Sequence, residues 1–183
     1  MKRSRVFIAA ACAILLISAC STNLGNAEVG VPALLEDWQG VRRVARDGPF
    51  FFAGQPDETV FRRLAEEEGV RVVVNLRTAT EMEQLIFDEQ ALVEELEMEY
   101  VHIPFQSSHI TREIVDQFTE VLTGTSGPVL IHCLGSVRVG GLWMAYLCIA
   151  RDMSVEDALE AGKAAGLNSA TIIDAVMSLI ENM

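Results

Sequence analysis

The sequence predicts an α/β fold in which a mostly parallel sheet of four to five strands is flanked by helices. From residue 50 onward, short apolar segments alternate with longer segments whose apolar residues recur at helical spacing. The Val-rich segment 70–76 is typical of a parallel strand that is covered on both faces. About 140 residues follow the N-terminal segments, enough for one hydrophobic core and too few for two.

The predicted elements follow one another closely from residue 50. Asp57 can accept the first hydrogen bonds of a helix, and Gly69 can end that helix. The predicted strands are Phe50–Ala53, Val70–Leu76, Tyr100–Pro104 and Val129–His132. The predicted helices cover Glu58–Glu68, most of Glu81–Met98, a segment from Thr111, Val139–Ala150, Val155–Ala165 and Ala170–Ile180. Ahead of these elements, the sequence predicts a short helix around Leu34–Trp38.

Residues 1–19 have the features of a secretory signal. The basic start Met1–Arg5 precedes the apolar run Val6–Ile17, which is shorter than the roughly 20 residues that span a bilayer. Small residues then lead to Cys20. The segment resembles a bacterial lipoprotein signal, which implies cleavage before Cys20 and lipid attachment to that cysteine. An uncleaved anchor and an ordinary secretory signal are the alternatives.

Ser21 follows the cysteine, and the resemblance then implies a cell-envelope protein anchored in the outer membrane and facing the periplasm. The predicted organisation is a lipoprotein signal peptide at 1–19, a tether and introductory segment at 20–47 and one globular domain at 48–183. Removing the signal takes away three of the 14 basic residues and none of the 26 acidic ones, which leaves a net charge of −15. Nucleic acid repels such a chain, so the sequence excludes it as a partner.

The most reactive group in the predicted domain is the thiol of Cys133, which follows His132 at the end of the last strand. Loop amides and the start of the next helix favour negative charge there, which makes Cys133 a candidate nucleophile. Arg138 can bind two oxygens of one anion through its planar guanidinium. The intervening loop residues are Leu134, Gly135, Ser136 and Val137. Because β-branched residues disfavour positive φ, the sequence predicts the left-handed residue at Gly135.

Polar side chains follow the other predicted strands at the same edge of the sheet, where ligands of α/β proteins bind. Gln55 follows the first strand, Arg77 the second and residues 106–109 the third. For Arg77, an ion pair with a helix acid such as Glu81 and a contact to substrate are equally compatible with the sequence.

Five segments in this order resemble cysteine-dependent protein tyrosine and dual-specificity phosphatases. The resemblance covers about residues 48–168 and is strongest for the bacterial phosphatase-like domain named after a beta-lactamase-hydrolase-like protein. The five segments are Phe52–Pro56, Val74–Thr78, Tyr100–Pro104, His132–Gly140 and Ala164–Leu167.

The resemblance implies a phosphotyrosine protein phosphatase II-like fold and a role for each residue of the loop. Cys133 would attack phosphorus and form a phosphocysteine, while Arg138 and the amides of residues 134–137 would hold the oxyanion. His132 would support the thiolate, with Arg77 as a further supporting residue, and water would then release phosphate.

Two features depart from the usual phosphatase pattern. Four residues separate Cys133 from Arg138 where five are standard, and a ring of this size resembles the active loop of rhodanese-type sulfurtransferases, in which the cysteine carries a persulfide. The bacterial subfamily itself tends to have the short loop. The loop after the third strand also lacks the expected general-acid Asp; His109 is the only titratable side chain before Arg112 that can replace it.

Three functions follow from these observations. The first is a cell-envelope phosphatase acting on a phosphorylated small molecule or protein, and the second is a sulfurtransferase or persulfide carrier that uses Cys133. The third is a catalytically weak module that binds anions or proteins. An inert buried thiol, with Arg138 in a surface salt bridge, is the non-functional alternative. No residue spacing indicates a metal site, and no cofactor is expected.

Overall fold

A six-stranded mixed sheet forms the centre of the protein in the computed structural model, which describes residues 23–182. Four parallel strands lie side by side, and two antiparallel strands extend one edge, in the order β1-β2-β3-β6-β4-β5. The strands are β1 (Ala33–Leu34), β2 (Val44–Asp47), β3 (Phe50–Ala53), β4 (Val72–Asn75), β5 (Glu99–His102) and β6 (Val129–His132).

Residues 23–182 contain seven α-helices. They are α1 (Glu58–Glu66), α2 (Ala79–Met82), α3 (Glu89–Glu95), α4 (Arg112–Gly124), α5 (Val137–Ala150), α6 (Val155–Ala165) and α7 (Ala170–Glu181). Helices α1 and α3 pack on one face and α4 to α7 on the other, which confirms the predicted α/β class. A 3₁₀ turn at Leu24–Asn26 precedes them.

Helix α5 lies at the centre of the larger core, because it begins next to β6 and is buried along most of its length. The ring of Trp143 packs against Phe50 and Phe52 from the sheet and against Tyr146 from its own helix. Gly140 faces α6 so closely that any added Cβ would collide with the Gly162 carbonyl oxygen. This packing fixes the first turn of α5, and therefore the loop that precedes it.

Two parts of the predicted secondary structure are wrong. The segment around Leu34–Trp38 contains strand β1 instead of a helix, and β2 follows it, so the sheet has six strands where four to five were expected. Both strands pair with the domain sheet and lie within the predicted introductory segment. The span predicted as one helix over Glu81–Met98 is two short helices, because Asp88 accepts a hydrogen bond from the Ala91 amide and starts α3 anew.

Candidate active site

Cys133 lies one residue beyond β6, at the edge of the sheet where all four parallel strands end. Its amide donates to the Ala53 carbonyl across the neighbouring strand (3.4 Å), and its side chain is almost fully buried. Next to it, the Gln55 amide donates to the Leu134 carbonyl (3.2 Å), which fastens the outer part of the loop to β3. The thiol is therefore shielded from solvent, and Leu134 is the most exposed residue of the loop.

The loop from Cys133 to Arg138 turns at Ser136, which has φ of 68° and ψ of −4°. The prediction that Gly135 carries the left-handed turn is wrong, because Gly135 forms an isolated antiparallel bridge with Gly54. Ser136 is held in this unfavourable conformation by its buried hydroxyl, which donates to the Ala165 carbonyl at 2.7 Å. Val137 avoids positive φ and becomes the first residue of α5, as its β-branched side chain requires.

The backbone amides of the loop form a group of unused donors. Apart from the bridge between Gly135 and Gly54, the N–H groups of residues 134–139 have no hydrogen-bond acceptor in the part of the chain that is described. They occupy the N-terminus of the 14-residue helix α5, where the helix dipole favours negative charge. Loop and helix start thus offer donors to an anion above Cys133.

Arg138 is buried on the first turn of α5 and is held by acceptors from three segments. Its Nη1 lies 3.0 Å from the carbonyl oxygens of both Leu76 and Phe105. Both terminal nitrogens also contact the Glu81 carboxylate, at 2.8 and 2.6 Å. Burial alone would lower the pKa of Arg138, but the hydrogen bond to Glu81 and the nearby Cys133 sulfur raise it. The guanidinium is therefore a fixed positive charge beside the thiol.

Glu81 reaches Arg138 because of a local capping motif that begins at Thr78. The Thr78 amide donates to the Glu81 carboxylate at 2.8 Å, and the Glu81 amide in turn points at the Thr78 hydroxyl. Burial would raise the pKa of Glu81, but hydrogen bonds from Arg138 and the Thr78 backbone lower it to about 2. Glu81 is thus an ionised orienting group for Arg138. The pattern Thr-x-x-Glu is a sequence signal for this capping box, although it does not identify the arginine.

Arg77 is buried, and within residues 23–182 its side chain pairs with no carboxylate. It donates to the Gln55 side chain and to the Glu81 backbone carbonyl, both at 2.5 Å. The ion pair considered for Arg77 and Glu81 is therefore absent, since the Glu81 carboxylate is bound to Arg138. Arg77 supports the segments that carry Gln55 and Glu81, and its burial keeps it from open solvent.

A buried polar cluster lies behind His132 and centres on Glu89. Its carboxylate accepts from Asn75 (2.7 Å), Gln55 (2.5 Å) and Tyr100 (3.2 Å), and His132 Nε2 lies 3.2 Å away. The His132 contact is within ion-pair distance but is poorly aligned for a hydrogen bond. Burial would raise the pKa of Glu89, yet nearby His132 and the hydrogen bonds from Gln55 and Tyr100 lower it. The carboxylate is therefore a buried negative charge that ties β3, β4, β5 and β6 together.

Replacing Glu89 with Gln is expected to destabilise the fold by about 3 kcal/mol, because the amide puts a donor in place of one carboxylate oxygen and leaves buried donors around it without an acceptor. For a protein of this size the melting temperature should fall by roughly 6–12 °C. Urea unfolding measures the loss directly. Glu94→Gln on the exposed side of the same helix is the matched control and should change stability by less than about 0.5 kcal/mol. An equally small change for Glu89→Gln would contradict the assigned role.

Comparison with protein-family models identifies the family. A model described as a DSP-PTPase phosphatase fused to NAD⁺ kinase matches residues 33–177. The chain belongs to this DSP-PTPase family. It is therefore a protein tyrosine/dual-specificity phosphatase-type hydrolase, and the family resemblance predicted from the sequence is confirmed. A search among curated proteins found no match.

Solved structures share the DSP-PTPase fold at low sequence identity. Tk-PTP in its active form aligns with a TM-score of 0.62 and 22% identity over 80% of this chain and all of its own. A DUF442 protein from Shewanella putrefaciens CN-32 aligns with a TM-score of 0.60 and 23% sequence identity, over 79% of this chain and 90% of its own. PTPMT1 in complex with PI(5)P aligns with a TM-score of 0.60 and 19% sequence identity, over 74% of this chain and 92% of its own.

The cavity beside Arg138 is shallow, about 290 Å³, and contains no free acid. Its lining residues are Thr78, Glu81, Gln106, Ser107 and Arg138. Glu81 is the only carboxylate among them, and its ion pair with Arg138 keeps it deprotonated. His109, the general-acid candidate from the sequence, is exposed next to Ser108 and does not line this cavity. Sequence reasoning placed Gln106 and Ser107 at this edge of the sheet but missed Thr78 as a cavity residue.

The remaining features concern the N-terminus, metal ions, membrane spans and the pairing of the cysteines. The signal peptide and the lipid-bearing Cys20 lie outside the described residues. Within residues 23–182, no group of three or more His, Cys, Asp or Glu side chains is placed to hold a metal ion. Over the same residues, no helix has both the length and the apolar character needed to cross a bilayer. The described cysteines, Cys133 and Cys148, are both unpaired.

Proposed function

We propose that this DSP-PTPase member hydrolyses phosphomonoesters in the bacterial cell envelope through a phosphocysteine at Cys133. The observation that carries the proposal is the set of donors around the thiol: the amides of residues 134–139 that lie outside the Gly135–Gly54 bridge, and the fixed guanidinium of Arg138. These donors can hold the three non-bridging oxygens of a phosphoryl group, where charge spreads in the transition state. We further propose that Cys20 carries the lipid anchor.

The reaction has two steps at the same sulfur. The Cys133 thiolate attacks phosphorus, the S–P bond forms as the ester P–O bond breaks, and the alkoxide or phenoxide leaves. Water then attacks phosphorus, and the S–P bond breaks to release phosphate and restore the thiolate. Arg138 and the loop amides bind the phosphoryl oxygens in both steps, while Glu81 keeps the guanidinium in place.

The leaving oxygen in the first step finds no protonated acid in the cavity, because Glu81 is ionised and bound to Arg138. A leaving group must then depart as an anion, which suits a phenol, whose pKa is about 10, far better than an aliphatic alcohol. The proposed substrates are therefore aryl phosphates, of which a phosphotyrosyl side chain is the protein example.

A series of aryl phosphates with different phenol pKa values tests this proposal. With the full chain in detergent, kcat/KM should rise steeply as the phenol becomes more acidic, and an alkyl phosphate should react at least about 10²-fold more slowly. Acid quenching during turnover should trap phosphate on the peptide that contains Cys133. A flat dependence on the leaving group, or phosphate trapped elsewhere, would contradict the proposal.

A sulfurtransferase is the second candidate, and the four-residue spacing between Cys133 and Arg138 is the observation in its favour. The same amides and guanidinium can bind thiosulfate, whose outer sulfur would pass to Cys133 as a persulfide with release of sulfite. Cyanide would then accept this sulfur as thiocyanate and restore the thiolate. Thiocyanate formation without any phosphate release would favour this candidate.

A further inference from the structure

Residues 24–30, which follow the proposed anchor, contact the domain at the end of the sheet where the parallel strands begin. The Leu24 amide donates to the Thr125 carbonyl at 3.2 Å, and the Leu24 side chain is buried in the larger core. Arg151 donates to the Ala27 carbonyl at 2.7 Å, and the Gly30 amide donates to the Asp47 carboxylate at 2.7 Å. Three separate contacts therefore hold residues 24–30 against the domain.

All three contact points lie where the parallel strands begin, at the opposite end of these strands from Cys133. Asp47 pairs with Phe50, the first residue of β3, and Thr125 precedes the first residue of β6. Arg151 directly follows α5, which begins at the Cys133 loop and runs back across the sheet for 14 residues. At 1.5 Å per residue, this helix separates its two ends by about 21 Å.

The chain between Cys20 and the domain is too short to reach the end of the sheet at which Cys133 lies. Cys20 lies three residues before Asn23, and three extended residues span at most about 10 Å. Turning the Cys133 loop toward the membrane would require the connecting chain to run the length of α5, about twice that reach. The acidic charge of the chain also opposes close approach to anionic head groups.

We infer that the anchored protein holds its Cys133 loop away from the membrane, so that its substrates are water-exposed aryl phosphates and not phosphorylated head groups of the anchoring bilayer. This inference rests on the proposed function, and specifically on lipid attachment at Cys20. The head-group layer is only several ångströms thick, so a loop held about 20 Å from the anchored edge lies beyond it. The bound lipid of PTPMT1 therefore offers no guide to the substrate of this protein.

A depth measurement tests the orientation without any need for activity. Lipidated protein with Cys133→Ser and Cys148→Ala receives one fluorophore, either at Glu28→Cys or at Leu134→Cys, both exposed positions. In phosphatidylcholine vesicles with a quencher on the head group, the Glu28 label should be quenched and the Leu134 label should match unanchored protein. Equal quenching of the two labels, or protein that does not float with the vesicles, would overturn the inference.

A matched activity measurement tests the substrate class. Vesicles with anchored protein and a lipid that carries an aryl phosphate on its head group should release no phosphate, while para-nitrophenyl phosphate in solution is hydrolysed as fast as by protein lacking residues 1–20. Inserting about 30 Gly and Ser residues after residue 22 gives a reach of roughly 30 Å and is the control for lipid access. Lipid hydrolysis by the short-tethered protein at the long-tethered rate would overturn the inference. Failure to hydrolyse para-nitrophenyl phosphate would instead contradict the catalytic proposal, and the depth result would still stand.

Discussion

Replacing Cys133 with serine is expected to lower the hydrolysis of para-nitrophenyl phosphate by about 10⁴-fold or more, to the background rate. A serine hydroxyl is a poor nucleophile unless a base removes its proton, and the nearby side chains offer none. Glu81, the only carboxylate among the residues that line the cavity, is bound to Arg138 and has a pKa of about 2. Steady-state phosphate release from the full chain measures the effect.

Cys148→Ser is the matched control for this substitution. Cys148 is unpaired and half-buried on α5, and burial raises the pKa of its thiol, so it is a poor nucleophile at neutral pH. Its replacement should leave phosphate release unchanged. Phosphate release that survives Cys133→Ser would exclude the phosphocysteine mechanism. Thiocyanate formation that depends on Cys133, without phosphate release, would favour the sulfurtransferase candidate.

Replacing Arg138 with lysine is expected to lower kcat/KM for aryl phosphates by about 10²–10³-fold. Lysine keeps the positive charge but lacks the planar fork that contacts both oxygens of Glu81 and the carbonyls of Leu76 and Phe105. The ammonium group cannot satisfy these acceptors and also face the phosphoryl oxygens. Activity should therefore fall even though the charge is conserved.

Arg62→Lys is the control for this substitution, because Arg62 pairs with Glu95 on the exposed surface and should tolerate the change. The thermal unfolding of both variants separates a loss of transition-state stabilisation from a loss of fold. Glu81→Gln should reduce activity in the same direction, since it removes the orienting carboxylate while leaving Arg138 in place. Full activity of Arg138→Lys would show that a point charge suffices and would contradict the proposed binding of phosphoryl oxygens by the guanidinium fork.

The two halves of the sheet differ in how well the sequence predicts them. The strands β3, β4 and β6 are buried, and each begins with three consecutive apolar residues, so composition alone identifies them. Strand β1 has two exposed residues, and β2 contains Arg46 and Asp47, so neither has a strong apolar pattern. Strand β2 depends on pairing with β3, and β1 depends on pairing with β2, so both need the folded sheet.

Some side chains of the site can also be predicted from the sequence, whereas others depend on tertiary contacts. The order strand, Cys133, loop and Arg138 predicts a thiol at a helix start, because these residues are consecutive in the chain. No local pattern predicts that Glu89 is buried, since a Glu at the first position of a helix is normally exposed. It is buried only because α3 places it against Asn75, Tyr100 and His132 from three strands.

The sequence alone determined the α/β class, the family and the candidate nucleophile, because these depend on local patterns and on motifs in a fixed order. Tertiary structure decided which acid orients Arg138, which residue carries the left-handed turn and which edge of the sheet holds the N-terminal segment. Each of these depends on groups far apart in the chain: Glu81 with Arg138, Ser136 with Ala165, and Leu24 with Thr125. A contact of this kind forms only when the whole core packs, so no local pattern records it.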